Sequence, residues 1–286
     1  MDAVALVKAT QDFEKSLDEG LRLIGGFGSL QSPVIIKPNI CTISDGTGFS
    51  VTSAKVVEAV VNLLLREKPS LSIRIVESDS QSKWASEGFE KFGYSALAED
   101  RQDQNFDVTC VNLSESPTEM VSFEGEYFTN PELPDVLVRP GYVISVAQAK
   151  THYLTFITGA LKNLFGLLPR KDQGVYHKLI NEVIVDLARL VPPSLNVIDA
   201  RVGVEGWNGP KTRQLDIFII GHKAASVDAT MLRVMGFDPK SIRHVVEASK
   251  YDHGSLNPVI HGEPLDSVKV QFKAPKGLDS DAMLTS

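Results

Sequence analysis

Apolar runs of strand length alternate with helix-period segments along almost the whole chain, and this alternation constrains the fold more than any single residue does. VALVKA (4–9) and PVIIKPN (33–39) read as strands, with an amphipathic helix over 11–24 between them. TSAKVVEAVVNLLLREK (52–68) reads as a helix, with Thr52 or Ser53 as the side-chain acceptor at its start. LSIRIVESD (71–79) is a strand, and KWASEGFEKFG (83–93) is a short helix ended by Gly93. FDVTCVNL (106–113) and EMVSFEGEYFT (119–129) are expected as strands of a small β-hairpin-like insertion. GYVISVAQAK (141–150), SLNVIDA (194–200) and QLDIFIIGH (214–222) are further strands, and SVKVQFK (267–273) is a late one. KLINEVIVDLARLV (178–191) is a helix stopped by Pro192 and Pro193, and two more helices are expected near 224–235 and 239–250.

This order predicts an α/β fold with a largely parallel sheet flanked by helices on both faces. No internal repeat or low-complexity linker divides the chain, so a single α/β domain over 1–275 is expected. The remainder, 276–286, lacks periodicity and is expected to be a loose tail. The net charge of −7 argues against a nucleic-acid or anionic-membrane binder, which needs a basic surface. There is no basic leader before a long apolar run, and no stretch of eighteen consecutive apolar residues. The two cysteines, Cys41 and Cys110, suggest neither a disulfide scaffold nor a four-cysteine iron–sulfur site, so a reducing cytoplasm is the expected location.

Polar residues collect where the strands end. The strand over 33–39 closes on Lys37 and Asn39, the one over 71–79 on Glu77 and Asp79, and the one over 141–150 on Lys150, then Thr151 and His152. The strand over 194–200 closes on Asp199, ahead of a loop carrying Glu205. In parallel α/β sheets ligands sit in the crevice outside the carboxyl ends of the strands, so four strands deliver ionisable groups to one edge. Taken singly, each is as easily a solvent-facing strand end or a structural ion pair. Lysine is depleted from strand interiors, which makes IIKPN and AQAKTH the harder two to dismiss.

The segment 149–178, AKTHYLTFITGALKNLFGLLPRKDQGVYHK, runs against the acidic balance of the chain. It holds Lys150, Lys162, Arg170, Lys171 and Lys178 against Asp172 alone, five cations to one acid, yet is otherwise strongly apolar. A lysine buried without a partner loses its charge or costs several kcal/mol, so Lys162 either reaches solvent along its stem or meets an anion. Gly159 and Gly166 weaken the segment as a helix and allow close backbone approach to the sheet or a ligand. The glycines of GVEGWNGP precede Pro210 rather than a helix, so a dinucleotide site is not expected. His222, His244, His253 and His261 are scattered and read as structural or exposed.

IIKPN, ESD, AKTHYLTFITGALKNLFGLLP, VIDARVGVEGWNGP and SVDATMLRVMGFDP together resemble the family catalogued as domain of unknown function 362, over roughly residues 4 to 265. The resemblance implies that Lys37, Asn39, Glu77, Asp79, Lys150, His152, Lys162, Asn163, Asp199, Glu205 and Asp228 are the residues to inherit. Asp228 also reads as an ordinary acid at a helix start. Many members look like this core fused to ferredoxin-type cysteine clusters, so a ferredoxin-like partner is implied. This chain lacks those clusters, and no iron–sulfur cluster is expected in it. A more distant similarity to the lactate racemase group is too thin to carry nickel over.

The expected function is an enzyme, its reaction not derivable, that binds a small anionic carboxylate or phosphate in a cleft lined by Lys, His, Asp and Glu. Lys150, His152 and Lys162 are the expected catalytic groups, with His152 the general acid or base. Lys37, Asn39, Thr151, Asn163 and Lys171 are expected to hold the substrate. Glu77, Asp79, Asp199 and Glu205 would hold a divalent ion such as Mg²⁺, or else pair with the lysines. Two rival readings stand beside it. One is a non-catalytic protein that docks an iron–sulfur or ferredoxin-like partner through the basic window. The other is an enzyme forming an imine on Lys150 or Lys162.

Overall fold

The computed structural model describes residues 2–277. In chain order the first half comprises β1 (Ala3–Lys8), α1 (Phe13–Leu23), β2 (Val34–Pro38), α2 (Ala54–Glu67), β3 (Ser72–Glu77), α3 (Ala85–Lys91), α4 (Tyr94–Asp103), β4 (Asp107–Asn112), β5 (Thr118–Met120), β6 (Glu132–Pro134) and α5 (Asp135–Val138). The second comprises β7 (Tyr142–His152), β8 (Phe156–Thr158), α6 (Ala160–Asn163), α7 (Ile180–Leu190), β9 (Leu195–Glu205), β10 (Lys211–Gly221), α8 (Ala224–Val234), α9 (Arg243–Ser249), β11 (Val259–Gly262) and α10 (Leu265–Val268).

The main sheet runs β11-β1-β10-β9-β7-β2-β3-β4, with β8 attached to β7. The pairs from β9 to β4 along this path are parallel, whereas β10 is antiparallel to both β9 and β1. The fold is therefore α/β with a mostly parallel, mixed sheet. Apolar side chains pack on both faces. Leu17 and Leu21 of α1 and Val56, Val57, Val60 and Leu64 of α2 fall at helical spacing against one side. Val183, Ile184 and Leu187 of α7 and Met231 and Leu232 of α8 cover the other. β7 is buried from Tyr142 to Thr151, which explains why it reads as a continuous apolar run.

From β2 the chain steps outward through β3 and β4, then returns to β7 on the other flank of β2. Strand order thus reverses between β2 and β7, and the crevice beyond their carboxyl ends is the favoured ligand position of such a sheet.

Four local expectations are corrected. The 106–113 run forms β4, an edge strand of the main sheet. The insertion is a separate small pair, β5 with β6, and most of 119–129 is loop. Asp186, on α7, anchors that loop by accepting the backbone N–H groups of Glu126, Tyr127 and Phe128. The late strand lies at Val259–Gly262, whereas 267–273 holds the end of α10 and irregular chain that covers the core with Phe272. Neither Thr52 nor Ser53 caps α2 with its side chain. Thr52 Oγ1 instead accepts from Asn39 N at 2.9 Å and donates to Val146 O at 2.8 Å, tying β2 to β7. Of the tail expected over 276–286, residues 278–286 lie outside the described residues.

Candidate functional site

At the carboxyl ends of β2, β3 and β7 the chain encloses a cleft of about 270 Å³. Lys37, Glu77, His152, Lys162 and Asn163 line it, together with Asn39, Cys41, Lys83, Phe165, Gly166, His177 and Trp207. Among these lining residues three lysines, Lys37, Lys83 and Lys162, face one carboxylate, Glu77. Lys150 lies directly behind, donating to Asn39 Oδ1 and to Ser50 O at 2.7 Å each. Four cations therefore surround a single acid.

Glu77 is already engaged. Its Oε2 lies 2.8 Å from Lys37 Nζ and its Oε1 3.5 Å from Lys83 Nζ. The N–H groups of Ile40 and Ser78 also point at it, at 3.2 and 3.0 Å. Lys37 is 1% exposed, and burial lowers its pKa against the opposing pull of Glu77.

Lys162 is different. No carboxylate or hydrogen-bond acceptor meets its ammonium among the described residues. Its neighbour is the Phe165 ring, with Nζ 4.3 Å from the centroid. Solvent reaches this half-buried side chain from the cleft, but protein surrounds most of the ammonium. Burial, then the charges of Lys150 and Lys37, push its pKa down to about 7.

The segment that carries Lys162 is held from behind. Asp228, fully buried on α8, accepts the N–H groups of Ala160 and Leu161 at 2.6 and 3.0 Å, capping α6. It therefore serves the start of α6 and not that of its own helix. Gly159 makes this approach possible, because a Cβ there would land on the Asp228 carboxylate. Gly166 plays the same part on the cleft side, where a Cβ would lie 2.7 Å from Lys37 Nζ and collide with Glu77. The two glycines thus let the segment close onto charged groups rather than extend as a helix.

His152 points into the cleft with its tautomer fixed. Nδ1 accepts from Leu154 N at 3.1 Å and from Thr155 N at 3.4 Å, which leaves the neutral ring its proton on Nε2. Burial first, then the charges of Lys162 and Lys150, push its pKa down to about 2. The ring stacks on exposed Tyr153, with centroids 4.9 Å apart. With Nδ1 occupied and protonation disfavoured, the neutral ring of His152 is arranged to offer an Nε2–H donor.

The other expected residues divide. Asn39 and Asn163 join the cleft, with Asn39 Nδ2 donating to Asn163 Oδ1 at 3.3 Å and Asn163 Nδ2 donating to Lys37 O at 2.8 Å. Thr151 sits one step away, where its Oγ1 accepts from Gly206 N at 2.7 Å and positions the loop after β9. Lys171 is exposed, its ammonium over the Trp84 ring. The four carboxylates expected to hold Mg²⁺ do not come together. Asp79 accepts from Ala85 N at the start of α3 and from Asn112 Nδ2, Asp199 pairs with Arg201, and Glu205 pairs with Arg213. Among the described residues no group of three His, Cys, Asp or Glu side chains is placed to hold a metal ion. Lys83 and Cys41 were missed from sequence. Both lie in loops that follow a strand closely, and that proximity was the only signal available.

No helix among the described residues is long and apolar enough to cross a membrane. The chain is 25% identical over 243 residues to a protein of Synechocystis sp. named thylakoid-associated protein sll1697, covering 79% of this chain and 71% of that one. Among solved structures, the lactate racemase apoprotein of Thermoanaerobacterium thermosaccharolyticum matches at 11% identity and a TM-score of 0.48, over 82% of this chain and 57% of that one. A Thermotoga maritima protein matches at 13% identity and a TM-score of 0.41, over 83% of this chain and 58% of its own. The chain thus spans less than two thirds of either solved chain. The family model described as domain of unknown function (DUF362) matches residues 34–233, and the chain belongs to that family.

Proposed function

We propose that the protein is an enzyme acting on a small anionic metabolite, a carboxylate or a phosphate, bound in the cleft at the β2–β7 switch point. The observation that carries this is Lys162: an ammonium deep in a cleft, without a carboxylate partner, beside three further lysines and one already engaged acid. An anion there relieves the repulsion among the lysines and stands in for the lost hydration. Lys162 meets the anion, His152 donates to it from Nε2, and Lys37 and Lys150 supply the field that stabilises developing negative charge. The location we propose, from composition, is the cytoplasm.

A second reading has its own observation. With its pKa near 7, Lys162 is partly a free amine at neutral pH, the form that attacks a carbonyl to give an imine. The docking of a ferredoxin-like partner has less support. Of the cations in the basic window, Lys150 is 1% exposed and Lys162 faces the cleft, which leaves Arg170, Lys171 and Lys178 as the exposed ones.

The test is ligand-dependent melting. Phosphate or a dicarboxylate, compared with chloride at matched ionic strength, should stabilise the protein by about 2.7 kcal/mol at a hundredfold excess over its dissociation constant. Lys162→Ala should abolish that increment and leave the general salt effect of excluded anions in place. An unchanged increment in Lys162→Ala sinks the reading. Borohydride trapping of a carbonyl substrate on Lys162 would instead select the imine.

A further inference from the structure

Two exposed aromatic rings stand at the rim of the cleft, and both are held in place. Tyr153, 61% exposed, lies in the turn between β7 and β8, and its ring stacks on the His152 imidazole at an interplanar angle of 14°. His152 Nδ1 in turn accepts from Leu154 N and Thr155 N, which fixes that turn. Trp207, 37% exposed, lies in the loop between β9 and β10. Its neighbour Asn208 accepts from Ser50 Oγ at 2.7 Å and donates to Ser44 O at 3.0 Å, latching this loop to the one after β2. Single exposed apolar residues are ordinary on a surface, but these two rings line the same cleft. Beyond Tyr153 the cleft continues into a second hollow of about 590 Å³, which shares His152 and Tyr153 with it. Pro210, Ala274 and Pro275 give the hollow an apolar wall, and Lys273 N, donating to Glu205 Oε1 at 3.0 Å, pins that wall to the end of β9. Of its charged residues, Lys211, Lys273 and Lys276 are exposed, and Glu205 is paired with Arg213.

We propose that the hollow is the second half of the ligand site, and that the substrate is an amphipathic anion: a carboxylate or phosphate head carrying an aryl or short alkyl body. The head lies at Lys162, and the body leaves the cleft beside Trp207 and over Tyr153 into the hollow. Both rings and the Pro210, Ala274 and Pro275 wall then lose water, and the gain scales with the apolar area covered. The lysines at the outer edge keep their ammonium groups in solvent and leave the wall apolar. An inorganic anion fills the head position alone and leaves both rings wet. The proposal rests on the anion-cleft reading and names a substrate class for it.

Methyl phosphate and phenyl phosphate test this on the full chain, since they share a head and differ in the body. By calorimetry, phenyl phosphate should bind at least about tenfold tighter than methyl phosphate, as burial of one aromatic ring dictates. Tyr153→Ala should bring the ratio of the two affinities close to one, and Tyr153→Phe should keep it. Trp84 and Trp207 are the two tryptophans of the chain, so Trp84→Phe leaves Trp207 as the reporter. In that variant phenyl phosphate should change the tryptophan emission and methyl phosphate should not. If one variant fails to fold, the other decides. Equal affinities for the two esters, or a preference unchanged in Tyr153→Ala, would overturn the second half of the site even if inorganic phosphate still raises the melting temperature. If neither ester nor inorganic phosphate binds, the anion-cleft reading falls and takes this inference with it.

Discussion

Lys150 Nζ donates to Asn39 Oδ1 at 2.7 Å, and through Asn39 the β7 lysine is linked to Asn163 on the segment that closes the cleft. A residue on each of three elements is thereby set by one buried amide. Asn39→Ala would leave a buried ammonium short of an acceptor and Asn163 short of a donor. We expect a loss of about 1–3 kcal/mol in a denaturant melt, the usual cost of stranding a buried polar partner. Asn39→Asp should be tolerated better, since it returns an acceptor with charge to Lys150. If Asn39→Ala is neutral, the bridge does not hold the site.

Gly166→Ala separates packing from charge. The added methyl would lie 2.7 Å from Lys37 Nζ, in space also taken by Glu77, so the 164–167 turn must lift from the cleft or the ion pair must open. Overpacking of this kind costs about 1–3 kcal/mol. The expected outcome is a lower melting temperature together with weakened phosphate stabilisation. Gly48→Ala, at a site with φ +74° and open space around it, serves as the control. It should cost stability through backbone strain while leaving the phosphate effect intact.

The strand ends were legible because a parallel sheet needs continuous apolar runs, and a lysine or glutamate closing such a run marks the point where the chain leaves the core. Lys37, Glu77 and Lys150 were found that way. The same signal could not separate Asp79 or Asp199 from them, because what diverts these two is their partners. Asp79 meets the first turn of α3, and Asp199 meets Arg201 two residues on. Lys83 and Cys41 reach the cleft through irregular loops, which carry no periodicity to read. The tautomer of His152 was not legible, since the occupancy of Nδ1 depends on a local turn back to Leu154 and Thr155.

Asp228 gives a pH signature of stability. Burial raises its folded-state pKa to about 7 against the pull of the two backbone N–H groups, from an ordinary value of 3.8. The folded protein therefore binds more protons than the unfolded chain between these values. The contribution is fully present below 3.8 and is lost as pH rises through about 7. His152 opposes it, with a folded pKa of about 2 against 6.5, so its contribution is complete above 6.5 and lost as pH falls. Urea midpoints between pH 5 and 8 should fall more steeply with pH in wild type than in Asp228→Ala. Identical slopes would show that Asp228 does not titrate as its burial implies.

Lys162 should couple ligand to proton. In the free protein its pKa is about 7, and an anion beside it favours the charged form and raises that value. Below about pH 7 the anion meets a lysine already charged, and affinity for phosphate analogues that do not themselves titrate in this range, such as sulfate, should be flat. Above it each binding event must also take up a proton, so affinity should fall by up to about tenfold per pH unit until the bound-state pKa is reached. Calorimetry in two buffers of different ionisation enthalpy would count that proton directly. Lys162→Met removes both the proton uptake and the cost of holding a charge in the cleft. It should bind sulfate poorly yet melt higher than wild type at pH 6, where wild-type Lys162 is charged and unpaired. A variant that binds sulfate with the wild-type pH profile would place the titrating group, and the anion, on another residue.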